Sequence, residues 1–555
     1  MIEIAKENLT IADILTATGG ELLRGSKSTA FSGVSIDSRA IRQGELFWTL
    51  KGDRFDGHAF VNEVIIKGAI GAIVGPEFMQ ALTPAPDMNW PMDRVLIRVK
   101  DRLLALQETA RFLRRQFPIP LIAVTGSNGK TTTKEMIASI MFCWKQGEGR
   151  KEKSNGEGKR ENGEEFHPLN YDLGSKSCSD LAPFTLNTSS KQVLKTAGNQ
   201  NNLIGLPLTL CGLSSEVKVA VLELGMNAFG EIRRLTQICQ PTVGLITNIG
   251  PAHIEFFGSL EKISQAKGEL FEEMRPDGVA IINGDDPYCL RMARSRSKVI
   301  TFGLREGADI RGEGIRQHET HVSFTLHVGG KQGRVLSPSK GTSISHSSKV
   351  EITLPLIGQI NVYNALAAAA AARALNVPLS VIRQGLEQVV LPPMRMMRLK
   401  GWNGSIIIND AYNANPISMC SAIDTLVQSK DETGRGKDGE TGGEGDAPLS
   451  QKGGRAILVL GDMLELGADA ERFHRQVGWF IAHNPIDFLF TYGKLAHWIA
   501  EEALAKGMKK DQVFLDLNHD QIAETLKTLA APGDHILIKG SRAVRMETVA
   551  KLLTE

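Results

Sequence analysis

Residues 123–136, AVTGSNGKTTTKEM, contain the glycines and side chains that commonly hold a phosphate group. Gly126 and Gly129 permit a tight turn that brings the backbone close to a ligand. Free N–H groups at the start of the helical pattern that follows favour an anion. Lys130 would set a positive charge against the terminal phosphates, and Thr131 would place its hydroxyl on Mg²⁺. The predicted phosphate-binding loop comprises Gly126, Ser127, Asn128, Gly129, Lys130, Thr131 and Thr132.

This loop is shorter than a standard Walker A loop. The full pattern has a glycine five residues before Gly129, and this chain has Val124 there. The plain alternative is a glycine-rich connection between a strand and a helix that carries a surface lysine. If the loop does bind a nucleotide, these residues leave three outcomes open: hydrolysis, phosphoryl transfer to a substrate, or binding alone.

Two polar side chains at the ends of later apolar runs form a candidate metal site. Glu223 lies in VAVLELG (219–225), and His253 follows TVGLITNIG (242–250). If both runs are strands in the sheet of the loop, both side chains reach the same edge, where a carboxylate can hold Mg²⁺ directly or through water. A solvated glutamate and a structural histidine are the alternatives. Lys267 lies on a predicted helix, and its default interpretation is a solvated or salt-bridged lysine.

Four further residues could contact a nucleotide. Asn283 follows another apolar run, although asparagine there also caps helices and forms turns. Asn361 lies at a predicted helix start, where its amide could cap the helix or read an adenine edge. Asp410 ends a run that would carry it to a sheet edge, where it could accept a ribose hydroxyl, and Arg395 could bind a γ-phosphate. Beside Asp410 lie Tyr412, Asn413 and Asn415.

The apolar runs that carry these residues alternate with helical stretches, which predicts α/β domains with parallel sheets. Strands are predicted within 219–225, 242–250, 278–286, 405–413, 456–463, 488–493 and 535–542. The predicted domains are 1–100, 101–392 and 393–555. Two polar, glycine-rich stretches, 145–195 and 430–454, cannot bury enough apolar surface to offset their ordering entropy, and we expect mobile surface inserts there. A weaker loop is expected from Val328 to Ser348.

Composition excludes several classes of protein. The chain is 42% hydrophobic and 23% charged, with a formal net charge of +2, which gives no reason to expect nucleic acid or an anionic membrane as partner. The six cysteines form no CxxC pair, so we expect reduced thiols rather than a disulfide framework or metal cluster. The N-terminus lacks the apolar core of a signal peptide, and the apolar run 365–372 is too short to span a bilayer. We therefore expect a cytoplasmic protein.

Taken together, the motifs resemble those of the Mur ligases, the ATP-dependent amide-forming enzymes of peptidoglycan precursor synthesis. TGSNGKTTTKE resembles the ATP loop of the family, and ELGMNAFGEI, TNIGPAHIEFFGS, AKGELFEEM and NDAYNANPISM resemble further family motifs. GNQNNLIGLPLTL, DAYNANP, VLGDMLELG and IKGSR resemble the markers of members that add D-alanyl-D-alanine. Residues 35–60 resemble the UDP-sugar-binding domain. The resemblance covers nearly the whole chain except the two inserts.

The resemblance implies a fold and an activity. The fold would be a UDP-sugar-binding N-terminal domain, a central P-loop-type parallel-sheet ATPase domain and a Rossmann-like C-terminal domain. The activity would be ATP-dependent ligation of D-alanyl-D-alanine to UDP-N-acetylmuramoyl-tripeptide through an acyl phosphate, with roles in cell-wall biogenesis, cell shape and cell division. ATP and Mg²⁺ would be required, and the chain would act as a monomer without nucleic acid or an integral membrane segment.

The resemblance also implies roles for individual residues. The implied catalytic residues are Lys130, Glu223, His253, Lys267 and Arg395. The implied metal ligands are Thr131, Glu223, His253 and, if it carries a carbamate that makes it an anion, Lys267. ATP contacts are implied at the loop and at Asn283, Asn361, Arg395 and Asp410. Substrate contacts are implied at Ser35, Asp37, Ser38, Arg39, Lys51, Gly52, Asn199, Asn202, Asn413, Glu465, Lys539, Ser541 and Arg542.

Other functions remain open at this point. Another amide ligase of the same superfamily, such as one that adds a diamino acid or a folylpolyglutamate synthetase, would share the loop, but GNQNNLIG and KGSR argue against both. A P-loop NTPase or small-molecule kinase would release phosphate without an amide product. A non-catalytic nucleotide-binding protein is disfavoured by the joint presence of Lys130, Glu223 and His253. The sequence does not determine the third residue of the acceptor peptide.

Overall fold

A computed structural model describes residues 9–52, 55–78, 90–154, 192–292, 296–329, 348–435 and 454–554. Within these ranges the chain forms three β-sheets in succession, and each lies within one of the three predicted ranges. The predicted α/β fold class is confirmed. In the part of the chain that is described, no helix has the length and apolar character needed to cross a membrane.

The N-terminal part forms a mixed five-stranded sheet. Its elements are α1 (Ile11–Thr18), β1 (Glu21–Arg24), β2 (Gly33–Ser35), β3 (Glu45–Trp48), α2 (Val61–Ile66), β4 (Gly71–Val74) and β5 (Val95–Arg98). The strand order is β1-β5-β4-β3-β2, with β2 to β5 parallel and β1 antiparallel to β5. The carboxyl ends of the parallel strands therefore share one edge of the sheet.

The central part begins with helix α3 (Arg102–Gln116) and forms a nine-stranded sheet. Its strands are β6 (Leu121–Thr125), β7 (Val193–Lys195), β8 (Val219–Glu223), β9 (Val243–Ile246), β10 (Val279–Asn283), β11 (Val299–Gly303), β12 (Ile310–Gln317), β13 (Val322–Val328) and β14 (Ser348–Leu354). Its other helices are α4 (Lys130–Ser154), α5 (Gly205–Leu210), α6 (Glu231–Cys239), α7 (Ile254–Phe257), α8 (Leu260–Glu273), α9 (Pro287–Met292), α10 (Gln359–Ala374) and α11 (Leu379–Glu387).

The strand order of this sheet is β14-β13-β12-β11-β10-β9-β6-β8-β7. Strands β6 to β12 all run parallel to one another, as predicted. β13 and β14 extend the sheet by antiparallel pairing, which the sequence analysis did not include. Strand β6 lies between β8 and β9, so the loop after β6 faces the ends of both neighbours.

The C-terminal part forms a six-stranded sheet. Its elements are β15 (Met397–Lys400), β16 (Ile406–Asp410), α12 (Pro416–Arg435), β17 (Ala456–Gly461), α13 (Ala470–Ala482), β18 (Phe488–Tyr492), α14 (His497–Ala505), β19 (Val513–Phe514), α15 (His519–Leu529), β20 (His535–Lys539) and α16 (Glu547–Thr554). The order is β15-β16-β20-β17-β18-β19, parallel throughout except for β15. This is the Rossmann-like arrangement that was predicted.

Burial explains why the strands read as continuous apolar runs. Every residue of β6, β8, β17 and β20 is buried, as expected for parallel strands with both faces covered. The apolar run 365–372 lies inside α10, where each of its residues is at most 1% exposed. It is therefore a core helix that packs on α4 and on the central sheet.

Both predicted inserts overlap regular secondary structure at their ends. Helix α4 continues to Ser154 and β7 begins at Val193, so these ends of the predicted insert 145–195 are wrong. Helix α12 continues to Arg435, into the second predicted insert. Lys, Arg, Gln and Glu are good helix formers, so a helix that has already formed propagates through such polar sequence. The remaining residues of both inserts, and 330–347 of the third expected loop, lie outside the described residues.

Candidate active site

The predicted phosphate loop joins the carboxyl end of β6 to the first residue of α4. Gly126 adopts a φ of 144°, and a β-carbon there would lie 1.9 Å from Thr247 Oγ1. Gly129 adopts a φ of 80°, and its β-carbon would lie 2.1 Å from Asn364 Oδ1. Both positions therefore require glycine, because of the backbone conformation and of the neighbouring side chains. The predicted strand, turn and helix are all present.

Lys130 turns its side chain back over this loop. Its Nζ donates to Gly126 O at 2.8 Å and to Ser127 O at 3.3 Å. Burial lowers the pKa of Lys130 from its ordinary value; the negative charge of Glu223 opposes this shift, and the positive charge of Arg395 adds to it. An anion bound at the loop would favour the charged form of this amine.

Thr131 connects the phosphate loop to two other parts of the chain. Its Oγ1 donates to Glu223 Oε2 at 2.8 Å and accepts from Arg395 Nη2 at 2.9 Å. The second carboxylate oxygen, Glu223 Oε1, accepts from Asn201 Nδ2 at 2.9 Å. Hydroxyl and carboxylate oxygens are ligands that Mg²⁺ prefers, so Thr131 and Glu223 fit that ion.

The backbone of Glu223 is also held in place. Its N–H donates to Thr196 Oγ1 at 2.9 Å, and Thr196 O accepts from Lys134 Nζ at 2.7 Å. Lys134 is only 1% exposed and pairs with Glu135 at 2.9 Å. The sequence analysis missed Thr196, Lys134 and Asn201. The GNQNN stretch (198–202) was the available signal, but the sequence analysis selected Asn199 and Asn202 from it and not Asn201.

His253 and Glu465 meet where the central and C-terminal parts face each other. His253 Nδ1 lies 2.6 Å from Glu465 Oε2, and this contact lowers the pKa of Glu465 from its ordinary value. Both residues adopt left-handed backbone conformations, with φ of 62° and 63°. Such conformations are uncommon outside glycine and occur preferentially at functional sites.

Lys267 is buried on α8, with 2% exposure. Burial lowers its pKa well below the ordinary value, and the positive charge of Lys130 acts in the same direction. Of the two default interpretations, a solvated or a salt-bridged lysine, the solvated one is therefore wrong. A neutral amine is the form of lysine that reacts with carbon dioxide, so its environment is compatible with a carbamate.

The C-terminal part contributes a second wall of charged groups. Lys539 Nζ lies 2.5 Å from Asp410 Oδ2 and also donates to Asn413 O at 2.9 Å. The guanidinium carbon of Arg395 lies 4.0 Å from the centre of the Tyr412 ring, which supports the arginine from one side. The polar residues after β16 thus face the phosphate loop.

These groups surround a cavity of about 390 Å³, within the size range of ligand pockets. The predicted site residues that line it are Ser127, Asn128, Gly129, Lys130, Thr131, Thr132, Asn199, Asn202, Glu223, His253, Asn361, Arg395, Asp410, Asn413 and Lys539. The predicted site residues therefore make up about half of the lining of a cavity whose walls come from two domains.

Other predicted site residues near this region do not line the cavity: Gly126, Lys267, Asn283, Glu465, Ser541 and Arg542. Asn283 instead donates to Thr247 O at 3.2 Å and accepts from the N–H of Asp285 at 2.9 Å. Ser541 Oγ accepts from Leu464 N at 2.9 Å, and Arg542 pairs with Glu547 at 2.8 Å. Their ligand contacts stay predictions.

The residues predicted to hold the UDP end lie apart from this cavity, near the carboxyl edge of the N-terminal sheet. They are Ser35, Asp37, Ser38, Arg39, Lys51 and Gly52. Arg39 and Asp37 form an exposed ion pair at 2.8 Å. That role stays a prediction.

Arg102 occupies the same edge and was missed by the sequence analysis. Its guanidinium donates to Asp56 Oδ1 and Glu77 Oε1, both at 2.7 Å, and to Thr49 O at 2.7 Å. His58 completes a group of potential metal ligands with these two carboxylates. Because Arg102 already neutralises both carboxylates, we interpret the group as a structural network rather than a metal site.

Three segments of the chain match known domain families. Residues 30–114 match the "Mur ligase family, catalytic domain", 177–372 the "Mur ligase middle domain" and 447–542 the "Mur ligase, glutamate ligase domain". The chain is 34% identical over 549 residues to the UDP-N-acetylmuramoyl-tripeptide–D-alanyl-D-alanine ligase of Bacillus subtilis, with 98% of each chain covered. It is 30% identical over 553 residues to the enzyme of that name from Escherichia coli, with 99% of each covered.

Solved structures extend the similarity to the whole fold. The crystal structure of MurF from Acinetobacter baumannii superimposes with a TM-score of 0.72 at 29% identity and covers 100% of both chains. A MurF ligase from Thermotoga maritima, solved in complex with ADP, superimposes with a TM-score of 0.68 at 24% identity and covers 94% of this chain and 96% of that one. At that identity, the second likeness concerns the fold alone.

Proposed function

Because the chain belongs to the Mur ligase family, we propose that it uses ATP to join D-alanyl-D-alanine to UDP-N-acetylmuramoyl-tripeptide, forming the pentapeptide precursor of peptidoglycan in the cytoplasm. Full-length relatives bear the name of this ligase. The observation that carries the proposal is the cavity in which a phosphate loop, the carboxylate of Glu223 and Arg395 from the C-terminal part converge.

The chemistry requires activation of a carboxylate, which is a poor electrophile. An oxygen of the peptide carboxylate attacks the γ-phosphorus of ATP, the bond to ADP breaks, and an acyl phosphate forms. The amine of D-alanyl-D-alanine then attacks the acyl carbon, loses a proton, and inorganic phosphate leaves. The main barrier to the first step is repulsion between two anions. Lys130 and Arg395 neutralise it, and such preorganised charge is typically the largest catalytic contribution.

Mg²⁺ fits the oxygen ligands at the loop. Thr131 and Glu223 would hold it, with His253, at the start of α7, as a further ligand. The bound ion would supply positive charge against the phosphate oxygens. The carbamate of Lys267 remains a proposal that rests on its burial and on the lowered pKa of its amine.

Closure of the C-terminal part on the central part protects the acyl phosphate from water. Arg395 reaches Thr131 and Glu465 reaches His253, so two groups of the C-terminal part already touch the central site. A hinged closure of this kind excludes water and, in the same motion, brings the catalytic groups of the two parts together. Small-angle scattering should show compaction when all ligands bind, and no compaction would contradict this closure.

The deciding experiment measures phosphate release from Mg·ATP with UDP-N-acetylmuramoyl-tripeptide, in the presence and absence of D-alanyl-D-alanine. We expect strict dependence on both substrates and a mass increase of the UDP-peptide equal to one added dipeptide. Phosphate release without either substrate would favour an NTPase. Product formation with a diamino acid in place of the dipeptide would favour another amide ligase of the superfamily.

A further inference from the structure

One amide at the boundary between the central and C-terminal parts has both of its ends engaged. Asn415 precedes α12, and its Oδ1 accepts from Ser418 N at 3.0 Å while its own N–H donates to Ser418 Oγ at 3.0 Å. This is a reciprocal helix cap, followed by Pro416 at the first helical position. The Nδ2 of Asn415 donates across the boundary to Asn128 Oδ1, in the phosphate loop, at 2.6 Å.

The direction of these bonds follows from their chemistry. Ser418 N–H can only donate, so the end of Asn415 that faces it must be the oxygen. The other end of Asn415 is then its NH₂ group, which needs an acceptor. Asn128 must therefore turn its oxygen toward Asn415, and its NH₂ group is directed away from that contact.

The rest of Asn128 is fixed, but that NH₂ group has no partner. The N–H of Asn128 donates to Asn248 Oδ1 at 3.0 Å, and its carbonyl accepts from Thr247 Oγ1 at 2.6 Å. Its Nδ2 is buried and has no hydrogen-bond partner among the described residues. A buried donor left unpaired is destabilising, because the loss of its hydrogen bond to water is not compensated. Because Asn128 lines the cavity, a ligand there can remove this cost.

We propose that Asn415 is a positioning residue that orients the Asn128 amide, so that Asn128 Nδ2 donates to a phosphoryl oxygen only when the C-terminal part has closed on the phosphate loop. This inference rests on the proposed ligase function and goes beyond it. Without Asn415, the Asn128 side chain is free to rotate. The loop thus has its full set of donors only in the closed form, which links phosphoryl transfer to domain closure.

The test is a double-mutant cycle between Asn415→Ser and Asn128→Ala. Serine is about as good a helix cap as asparagine and carries no charge, but it is too short to reach Asn128. We expect Asn415→Ser to keep the thermal unfolding midpoint and to lower kcat for amide formation about tenfold or more, as loss of a transition-state donor does. In the Asn128→Ala background, Asn415→Ser should cause no further loss.

A second readout does not depend on turnover. Titration calorimetry with a non-hydrolysable ATP analogue should show the same non-additivity in affinity, because both substitutions remove one donor. Additive effects in the cycle would mean that Asn415 does not act through Asn128 and would overturn the inference. Equal kcat for Asn415→Ser and wild type would overturn it as well.

The matched control loosens the same domain boundary elsewhere. Arg398, on β15, pairs with Glu319, between β12 and β13, and neither lines the cavity. Glu319→Gln should leave kcat within about twofold of wild type, since exposed pairs contribute little. If this control lost as much activity as Asn415→Ser, general loosening would explain both. If wild type itself formed no pentapeptide, the proposed function would fail, whereas an active wild type with an unaffected Asn415→Ser would refute this inference alone.

Discussion

Asp410 and Lys539 end adjacent parallel strands, β16 and β20, and their side chains form an ion pair with Nζ 2.5 Å from Oδ2. The lysine is 2% exposed. Both residues line the cavity, so this pair holds the wall of the C-terminal part that faces the phosphate loop.

Removal of one partner of this pair should destabilise the protein. Asp410→Asn leaves the ammonium of Lys539 buried without its counter-ion, and such changes typically cost about 3–5 kcal/mol. Urea unfolding should show this loss, and Asp410→Asn/Lys539→Met should recover part of it. Lys527→Met breaks the exposed pair with Glu524 and should cost less than about 1 kcal/mol. Equal stability of Asp410→Asn and wild type would show that the pair does not support the fold.

Lys130→Ala should nearly abolish turnover while the fold survives. The substitution removes the cation of the phosphate loop, and loss of one such group lowers the rate on the order of 10²–10³-fold. Phosphate release and amide formation should fall together, with an unchanged circular dichroism spectrum. Lys218→Ala, an exposed lysine of the same part of the chain, should behave as wild type. Near-normal turnover of Lys130→Ala would contradict the assignment of Lys130 to the phosphate-binding site.

Glu223→Gln should weaken the use of Mg²⁺. Glutamine keeps the shape and can still accept from Thr131, but it removes the negative charge beside the loop and turns an NH₂ group toward Asn201. We expect turnover on the order of 10²-fold lower and a higher Mg²⁺ concentration at half-maximal rate. The matched control is Glu216→Gln on the exposed turn before β8. An unchanged Mg²⁺ dependence of Glu223→Gln would exclude this carboxylate as a ligand.

Lys267 should form a carbamate. Burial lowers the pKa of its amine well below the ordinary value, so the neutral nitrogen can attack carbon dioxide, form an N–C bond and lose a proton. Carbon-13 NMR of protein equilibrated with labelled bicarbonate should show a carbamate signal that Lys267→Met removes. Lys262→Met, an exposed lysine on the same helix, should retain it. Persistence of the signal in Lys267→Met would place the carbamate elsewhere.

His474 should make stability fall at mildly acidic pH. Its Nε2 accepts from Met463 N at 3.0 Å and so holds the loop that leads to Glu465. Burial lowers the pKa of His474 below 6.5. The unfolded chain therefore binds more protons just below pH 6.5, so the contribution of His474 is complete above that pH and is lost as the pH falls through the folded pKa.

The measurement is the free energy of unfolding at several pH values. The stability advantage of wild type over His474→Gln should shrink as the pH falls from about 7.5 to about 5, by at most about 1.4 kcal/mol per pH unit. A constant difference between wild type and His474→Gln would contradict this contribution of His474 to stability.

The sequence predicted those features of the site that depend on local chemistry. A predicted strand followed by a tight turn was enough to locate the loop glycines and Lys130. The predicted end of another strand was enough to locate Glu223. Strand β7 has only three residues, too few to give a pattern, and it was therefore assigned to an insert. The contacts of Thr196 with Glu223 were missed for the same reason.

Contacts between distant segments could not be predicted in this way. His253 and Glu465 meet through two left-handed backbone positions, and nothing in either local sequence requires the other. Asn201 was missed because Asn199 and Asn202 have the same side chain, and only the path of the backbone decides which amide reaches Glu223. Strand β13 pairs antiparallel with β12 because a short turn joins them, and the sequence analysis did not interpret that turn.

The bonds that Arg395 and Asn415 make to the phosphate loop join positions 264 and 287 residues apart. Contacts between residues so far apart in sequence form late in folding, because the entropy cost of closing a long loop comes before the contact energy is gained. During synthesis, the loop and Glu223 leave the ribosome well before the residues that complete their cavity. A C-terminally truncated chain therefore has the phosphate loop and Glu223 but lacks the Arg395 and Asn415 side chains that complete the cavity around them.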